Sequence, residues 1–121
     1  MRNGVVDQVT IDGLTVVTLA GELDLSVAST LRRHLIRSTT ATRRDIVVDL
    51  RQVTFMDCST IGVLVVLNNH VRATGGCLQL TGLSPGPLRV LSLCRLLSAL
   101  PVHDSLEEAT AAVHGDHRRV S

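Results

Sequence analysis

Apolar and polar residues are interspersed in two short strand-like runs near the start of the chain, at residues 5–11 and 14–20. Short runs of this kind, bounded by turn residues, are typical of β-strands. Asp12-Gly13 lies between the two runs, and such a dipeptide between apolar runs is a strong signal for a tight hairpin. The pattern therefore predicts an antiparallel hairpin, and we expect residues 21–24 to end its second strand.

A different spacing follows, in which Val27, Leu31 and Leu35 recur every four residues while arginines fall off that face. This spacing predicts an amphipathic helix, with Ser26 as a candidate N-cap. Residues 46–50 form a nearly continuous apolar run, which is typical of a strand buried on both faces. The apolar block at residues 61–71 is ambiguous, because its β-branched residues favour a strand while its length and polar N-terminal flank favour a helix.

In the last third of the chain, predicted strands again alternate with predicted helices. Strands that alternate with helices after an initial hairpin indicate one α/β domain with a mixed sheet. We expect a single domain over residues 1–121, with its core at about 5–113 and a flexible polar tail at 114–121. The predicted elements are a strand at 77–81 after Gly75-Gly76, a helix opened by Ser84-Pro85 and ending near residue 97, an edge strand at 100–103, and a helix that starts at the capping box Ser105-Leu106-Glu107-Glu108.

The amino-acid composition limits the kinds of molecule that this protein is expected to bind. The net charge is +1 at pH 7, so no basic field points to DNA or a membrane surface. Phe55 is the one aromatic residue, which argues against stacking on single-stranded nucleic acid. The chain shows no secretory signal and no apolar run long enough to span a bilayer. These features predict a cytoplasmic protein that binds neither nucleic acid nor membrane.

Candidate catalytic and metal-binding groups are scattered. The three cysteines, Cys58, Cys77 and Cys94, form no C-x-x-C pair and are expected to be thiols rather than disulfides. The histidines stand apart, except for His114-x-x-His117 in the predicted tail. No nucleotide-binding or hydrolase signature is present. We therefore expect neither an enzyme nor a bound metal or cofactor.

The richest segment is D-L-R-Q-V-T-F-M-D-C-S-T-I-G-V at residues 49–63, where a strand leads through small polar residues into an apolar block. A local interpretation is that Asp57 or Cys58 precedes a helix that Ser59 or Thr60 caps. The segment also resembles the signature D-L-x-x-x-x-F-M-D-S-S-G-L-G-V of anti-sigma-factor antagonists built on the STAS domain. Residues 19–24, Gly75-Gly76 and Ser84-Pro85 match three further family landmarks in order, so the resemblance covers roughly residues 5–113.

The resemblance implies a STAS-like α/β fold, with a mixed sheet of four to five strands flanked by about four helices, and it favours a helix at residues 61–71. It implies a binding switch: the unmodified protein binds an anti-sigma-factor serine kinase, a GHKL-type ATPase, and so releases a sigma factor. Phosphorylation by that kinase would end binding, and a phosphatase would restore it. We expect a monomer or weak dimer. The partner-binding residues implied by position are Asp24, Asp57, Cys58, Ser59, Thr60 and Gly62.

Two positions depart from the family signature. Cys58 replaces the serine that the family phosphorylates, and Thr60 replaces a glycine. Three outcomes stay open: a protein that is never phosphorylated and always able to bind, phosphorylation of Ser59 instead, or a redox response at Cys58. The alternative function is a scaffold or redox-sensing STAS subunit in a larger stress-signalling assembly.

Overall fold

A five-stranded mixed sheet forms the centre of the fold. In the computed structural model, which describes residues 3–40, 44–93 and 100–120, the strands lie in chain order, β1-β2-β3-β4-β5. The first two strands are antiparallel and all other neighbours are parallel. The elements are β1 (Gly4–Ile11), β2 (Leu14–Leu23), α1 (Leu25–Arg37), β3 (Asp45–Met56), α2 (Cys58–Ala73), β4 (Leu78–Thr81), α3 (Pro85–Leu93), β5 (Val102–His103) and α4 (Leu106–Val120). The predicted α/β architecture is confirmed.

The hairpin forms as predicted, but its second strand is longer than expected. Asp12 and Gly13 both have positive φ, 51° and 83°, as a tight hairpin turn requires. The second strand was predicted to end at Ala20, before Gly21, and this is wrong, because β2 continues to Leu23. Gly21 has φ 83°, and the register between β2 and β3 shifts next to it. A glycine at positive φ lets the strand absorb this bulge and continue.

The sheet is covered on both faces. Helices α1 and α2 pack on one face, where Leu19, Val48 and Leu64 belong to the main apolar core. On the other face, α4 places Ala109 and Val113 against Val47 and Cys77 in a second apolar cluster. Residues 46–50 are buried at every position, which confirms the prediction of a strand enclosed on both faces.

Several helix ends differ in detail from the predictions. The helix predicted at residues 61–71 is present and begins earlier, at Cys58. Ser84 directly precedes α3 as predicted, and its carbonyl oxygen accepts the N–H of Leu88 at 3.0 Å, while its hydroxyl donates to the carbonyl oxygen of Val53 at 3.3 Å. Residues 94–99, where this helix was expected to end, lie outside the described residues, as does Cys94.

The capping box forms in part. Ser105 Oγ accepts the N–H of Glu108 at 3.1 Å, while the Glu108 carboxylate accepts the N–H of Asp104 at 3.2 Å, one residue before the expected position. The edge strand is shorter than predicted, covering Val102–His103. Helix α4 extends to Val120 and so includes most of the polar segment predicted as a tail.

Candidate partner-docking site

Helices α1 and α2 begin side by side at one edge of the sheet. They follow β2 and β3, which are parallel neighbours, and the last residues of these strands, Leu23 and Met56, are register partners. Because the carboxyl ends of parallel strands meet at the same edge, the residues that follow them come together. Asp24 and Asp57, predicted from separate segments, occupy equivalent positions there. We call residues 24–26 and 57–60 the paired helix starts.

Asp24 opens the first helix. Its backbone is extended, with φ −120° and ψ −172°, and its carboxylate accepts the N–H of Ser26 at 2.9 Å. The same oxygen accepts the hydroxyl of Ser26. Asp24 is therefore the N-cap, and the prediction that Ser26 fills this role is wrong. The extended backbone of residue 24 places its carboxylate over the orphan N–H groups of the first turn.

Asp57 caps α2 in the same manner. Its carboxylate accepts the N–H of Ser59 at 3.0 Å, the N–H of Thr60 at 3.3 Å and the hydroxyl of Ser59 at 2.5 Å. The hydroxyl of Ser59, followed by the backbone N–H groups of Thr60, Ser59 and Leu25, holds the pKa of Asp57 below its usual value, against a smaller opposing effect of burial. Leu25 belongs to α1, so the start of that helix also lowers the pKa of Asp57, by the smallest of these effects. Of the two local interpretations, Asp57 preceding the helix is correct, and it is itself the cap.

Thr60 links the start of α2 to the end of β2, just before α1, through a buried hydrogen bond. Its side chain is fully buried, and its hydroxyl donates to the carbonyl oxygen of Leu23 at 2.8 Å. The N–H of Asp57 donates to the same oxygen at 3.2 Å. The substituted threonine thus uses its hydroxyl in the interior and does not present it at the surface.

A groove of about 460 Å³ runs between α1 and α2 from the paired helix starts. Its rim includes Leu25 and Val66, which are 75% and 36% exposed. Gly62 lies on the groove with open space where a Cβ would be, since no atom would come within 4 Å of it. The full lining is Leu25, Ala28, Ser29, Arg32, Ser59, Gly62, Val63 and Val66. The groove is apolar along most of its length and bears one cation, Arg32.

The thiol and the hydroxyl at residues 58 and 59 differ in environment. Cys58 is exposed at the first position of α2, whereas Ser59 is half-buried and its hydroxyl is bonded to Asp57. Cys77 is buried against α4, on the opposite face of the sheet. Neither of these two described cysteines forms a disulfide.

All six residues predicted for partner binding lie at or next to the paired helix starts. Five are on the surface or the groove, and Thr60 points inward. The sequence analysis missed Leu25 and Val66, whose exposure adds apolar area to the same place. An apolar residue directly after the Asp24 cap was the available signal for Leu25, since that position of a helix usually faces solvent.

In the described parts of the chain, histidine, cysteine and acidic side chains form no group of three or more that could hold a metal ion. Among the described helices, none combines the length and the apolar character needed to cross a bilayer.

Comparison with known proteins gives concordant matches. The STAS domain family model matches residues 6–109. The anti-sigma-B factor antagonist of Bacillus subtilis is 30% identical over 86 residues, covering 71% of this chain and 78% of the relative. The anti-sigma F factor antagonist of Paenibacillus polymyxa is 27% identical over 94 residues, covering 77% and 80%. A crystal structure of an anti-sigma factor antagonist from Mycobacterium paratuberculosis superposes with a TM-score of 0.80 at 22% identity, covering 91% of this chain and 92% of that one.

Proposed function

The chain belongs to the STAS domain family, and from this premise we propose that it is an anti-sigma-factor antagonist that binds an anti-sigma-factor serine kinase of the GHKL ATPase type. Binding would occupy the kinase and release its sigma factor for transcription. The relatives named above are anti-sigma factor antagonists by name, which supports the coarser part of the proposal, and their matches cover most of this chain. The proposal therefore concerns a regulatory binding protein.

The observation that supports this function best is the pairing of Asp24 and Asp57 beside an apolar groove. Two carboxylates at the rim give a partner's cations a fixed target, while Leu25 and Val66 offer apolar area that becomes buried on docking. The caps hold both carboxylates in place through backbone hydrogen bonds, so little side-chain freedom is lost when the partner binds. Fixed carboxylates next to exposed apolar side chains are the combination expected of a protein-docking surface.

The regulation differs from that of a protein with serine at position 58. A phosphate at this exposed position would add nearly two negative charges beside Asp57 and repel a surface that binds carboxylates. Cys58 cannot accept that phosphate from a serine kinase in the usual way. We therefore propose that the kinase binds this chain without modifying position 58, and that Ser59, whose hydroxyl is bonded to Asp57, is a poor substitute.

Affinity capture with the tagged full-length chain from the native lysate, with and without ADP, tests this function. Mass spectrometry should identify a small GHKL-type kinase. Asp24→Asn and Asp57→Asn each remove a charge but keep a good N-cap, so the fold is preserved while capture falls. Glu107→Gln, an exposed residue at the start of α4, is the matched control for charge loss. Capture of only a large assembly of STAS chains, or equal capture by both Asn variants, would contradict the proposal.

A further inference from the structure

A second groove lies on the other side of α1, between this helix and β1. It consists of two adjoining cavities of about 400 and 430 Å³ that share Thr30 and His34 in their linings. Strand β1 is the edge of the sheet on this side, and within the described residues no further strand pairs with it. We call this surface the β1–α1 groove. It is separated from the groove at the paired helix starts by the body of α1.

One end of the β1–α1 groove is basic. Arg33, His34 and Arg37 line it, and within the described residues neither arginine forms an ion pair. Helix α1 contains no acidic residue that could neutralise them. The whole chain has a net charge of only +1, so these side chains are a local concentration of positive charge on a nearly neutral protein.

The basic end is also held in shape by hydrogen bonds. Gln8 Oε1, on β1, lies 2.9 Å from His34 Nε2 and 3.0 Å from Ser38 Oγ. Both contacts use the amide oxygen, which leaves the amide N–H groups of Gln8 available as further donors at the groove. Arginine guanidinium groups and an amide donor suit carboxylate oxygens, which accept paired hydrogen bonds.

The other end of the groove is more apolar. Val5, Val27 and Leu31 line it, and the first two are half-buried while Leu31 is almost fully buried. The two cavities meet at Thr30, so the character of the surface changes from apolar to basic along its length. A small anion would use only the basic end. A segment of protein chain with apolar residues next to acidic ones would use both.

We propose that the β1–α1 groove binds an acidic segment of a partner protein, with its carboxylates on Arg33 and Arg37 and its apolar side chains toward Val5 and Val27. This surface is additional to the proposed kinase-docking site. Both could therefore be occupied at once, which would let the domain connect two partners. Because the recognition is by exposed charges, binding should weaken as salt is raised.

A labelled synthetic peptide in which leucines precede a run of glutamates tests the proposal by fluorescence anisotropy with the full-length chain. The wild type should bind it, and the variant Arg33→Glu/Arg37→Glu should bind at least roughly tenfold more weakly, because the loss of even one charge-assisted hydrogen bond has about that effect and the variant loses two. Arg32→Glu is the matched control, because Arg32 belongs to the same helix but lines the groove beside α2. Amide chemical shifts should move at Thr30 and Arg37 and not at Gly62.

Three results would overturn the proposal: equal binding of a peptide with glutamine in place of glutamate, an equal loss caused by Arg32→Glu, or complete displacement of the peptide by inorganic pyrophosphate at matched ionic strength. The last would identify a small-anion site. Arg33→Gln/Arg37→Gln serves if charge reversal disturbs folding. Kinase capture by the Arg33→Glu/Arg37→Glu variant should be unchanged, so this proposal and the kinase-binding function fail independently.

Discussion

The hydroxyl of Thr60 donates a 2.8 Å hydrogen bond to the carbonyl oxygen of Leu23, 37 residues earlier in the chain. This bond connects the first turn of α2 to the last residue of β2, directly before Asp24. The N–H of Asp57 donates to the same carbonyl oxygen. The two carboxylate caps are thus held at a fixed separation by a buried contact that involves neither of their side chains.

We expect Thr60→Val to lower the free energy of unfolding by about 1 kcal/mol, since valine keeps the shape of threonine but leaves one buried hydrogen bond unmade. The Leu23 oxygen keeps its bond from Asp57, which limits the loss. Urea denaturation measures the change. Thr54→Val, at an exposed position of β3, should change stability by less than about 0.5 kcal/mol. Equal stability of wild type and Thr60→Val would show that the bond contributes nothing.

The pKa of Asp57 gives a second prediction. Its carboxylate is stabilised mainly by the hydroxyl of Ser59, so Ser59→Ala should raise the pKa of Asp57 toward its ordinary value. Carbon-detected NMR titration of the side-chain carboxyl measures this directly. Ser26→Ala removes the equivalent hydroxyl beside Asp24 and should leave the pKa of Asp57 unchanged. A shift of the same size in both variants would mean that the effect is not local.

The same pKa shift has a consequence for folding. A carboxyl whose pKa is lower in the folded state contributes stability above its unfolded-state pKa, near 4, and loses that contribution as pH falls through the folded value. Unfolding measured from pH 6 downward should show this loss, and Asp57→Asn should flatten that part of the profile. An unaltered profile in Asp57→Asn would assign the acid sensitivity to other carboxyl groups.

Local patterns predicted most of the fold. The Asp12-Gly13 turn between two strand-like runs, the four-residue spacing in α1 and the apolar run at 46–50 are properties of short windows, and each element formed. The extension of β2 to Leu23 could not be predicted in this way, because it depends on pairing with β3, far along the chain. Gly21 looked like the end of a strand, and only the parallel neighbour shows that it is a bulge.

The candidate site, too, could be predicted from the sequence only in part. Asp24 and Asp57 were predicted from separate motifs, but which residue capped each helix was not, because aspartate and serine both favour that position. Backbone dihedral angles decide it, and they place both aspartates at the N-cap. The groove beside them depends on how α1 packs on α2, so the contribution of Leu25 appears only in three dimensions.

Two substitutions at Gly62 should distinguish an effect on stability from an effect on partner binding. Open space surrounds the position where its Cβ would lie, so Gly62→Ala should stabilise the protein by roughly 0.5–1 kcal/mol through helix propensity. Gly62→Leu should also fold, but the leucine side chain would project into the groove that runs between α1 and α2 from the paired helix starts. We therefore expect weaker capture of the kinase. Thermal denaturation and affinity capture measure the two effects. Undiminished capture by the leucine variant would show that the partner does not enter the groove.

The last prediction concerns phosphorylation at the start of α2. Cys58 is exposed, whereas the hydroxyl of Ser59 is bonded to Asp57 and half-buried. We expect the kinase identified by capture, supplied with ATP, to leave the wild-type chain unmodified and to add one phosphate to Cys58→Ser. Intact-protein mass spectrometry detects the added mass, and peptide sequencing locates it.

Two controls make that result interpretable. Cys58→Ser/Ser59→Ala should still gain one phosphate, which assigns it to position 58, and Cys58→Ala should gain none. A phosphate on Ser59 in the wild type would instead show that the switch has moved by one residue, despite the bond to Asp57. Treatment of the wild type with a mild oxidant tests the redox alternative. Cys77 is buried on the opposite face of the sheet, so a response at Cys58 should produce a disulfide-linked dimer or a bridge to Cys94, and Cys58→Ala can form neither through position 58. If neither phosphorylation nor oxidation is found, we expect the chain to bind its partner at all times and its concentration in the cell to control the response.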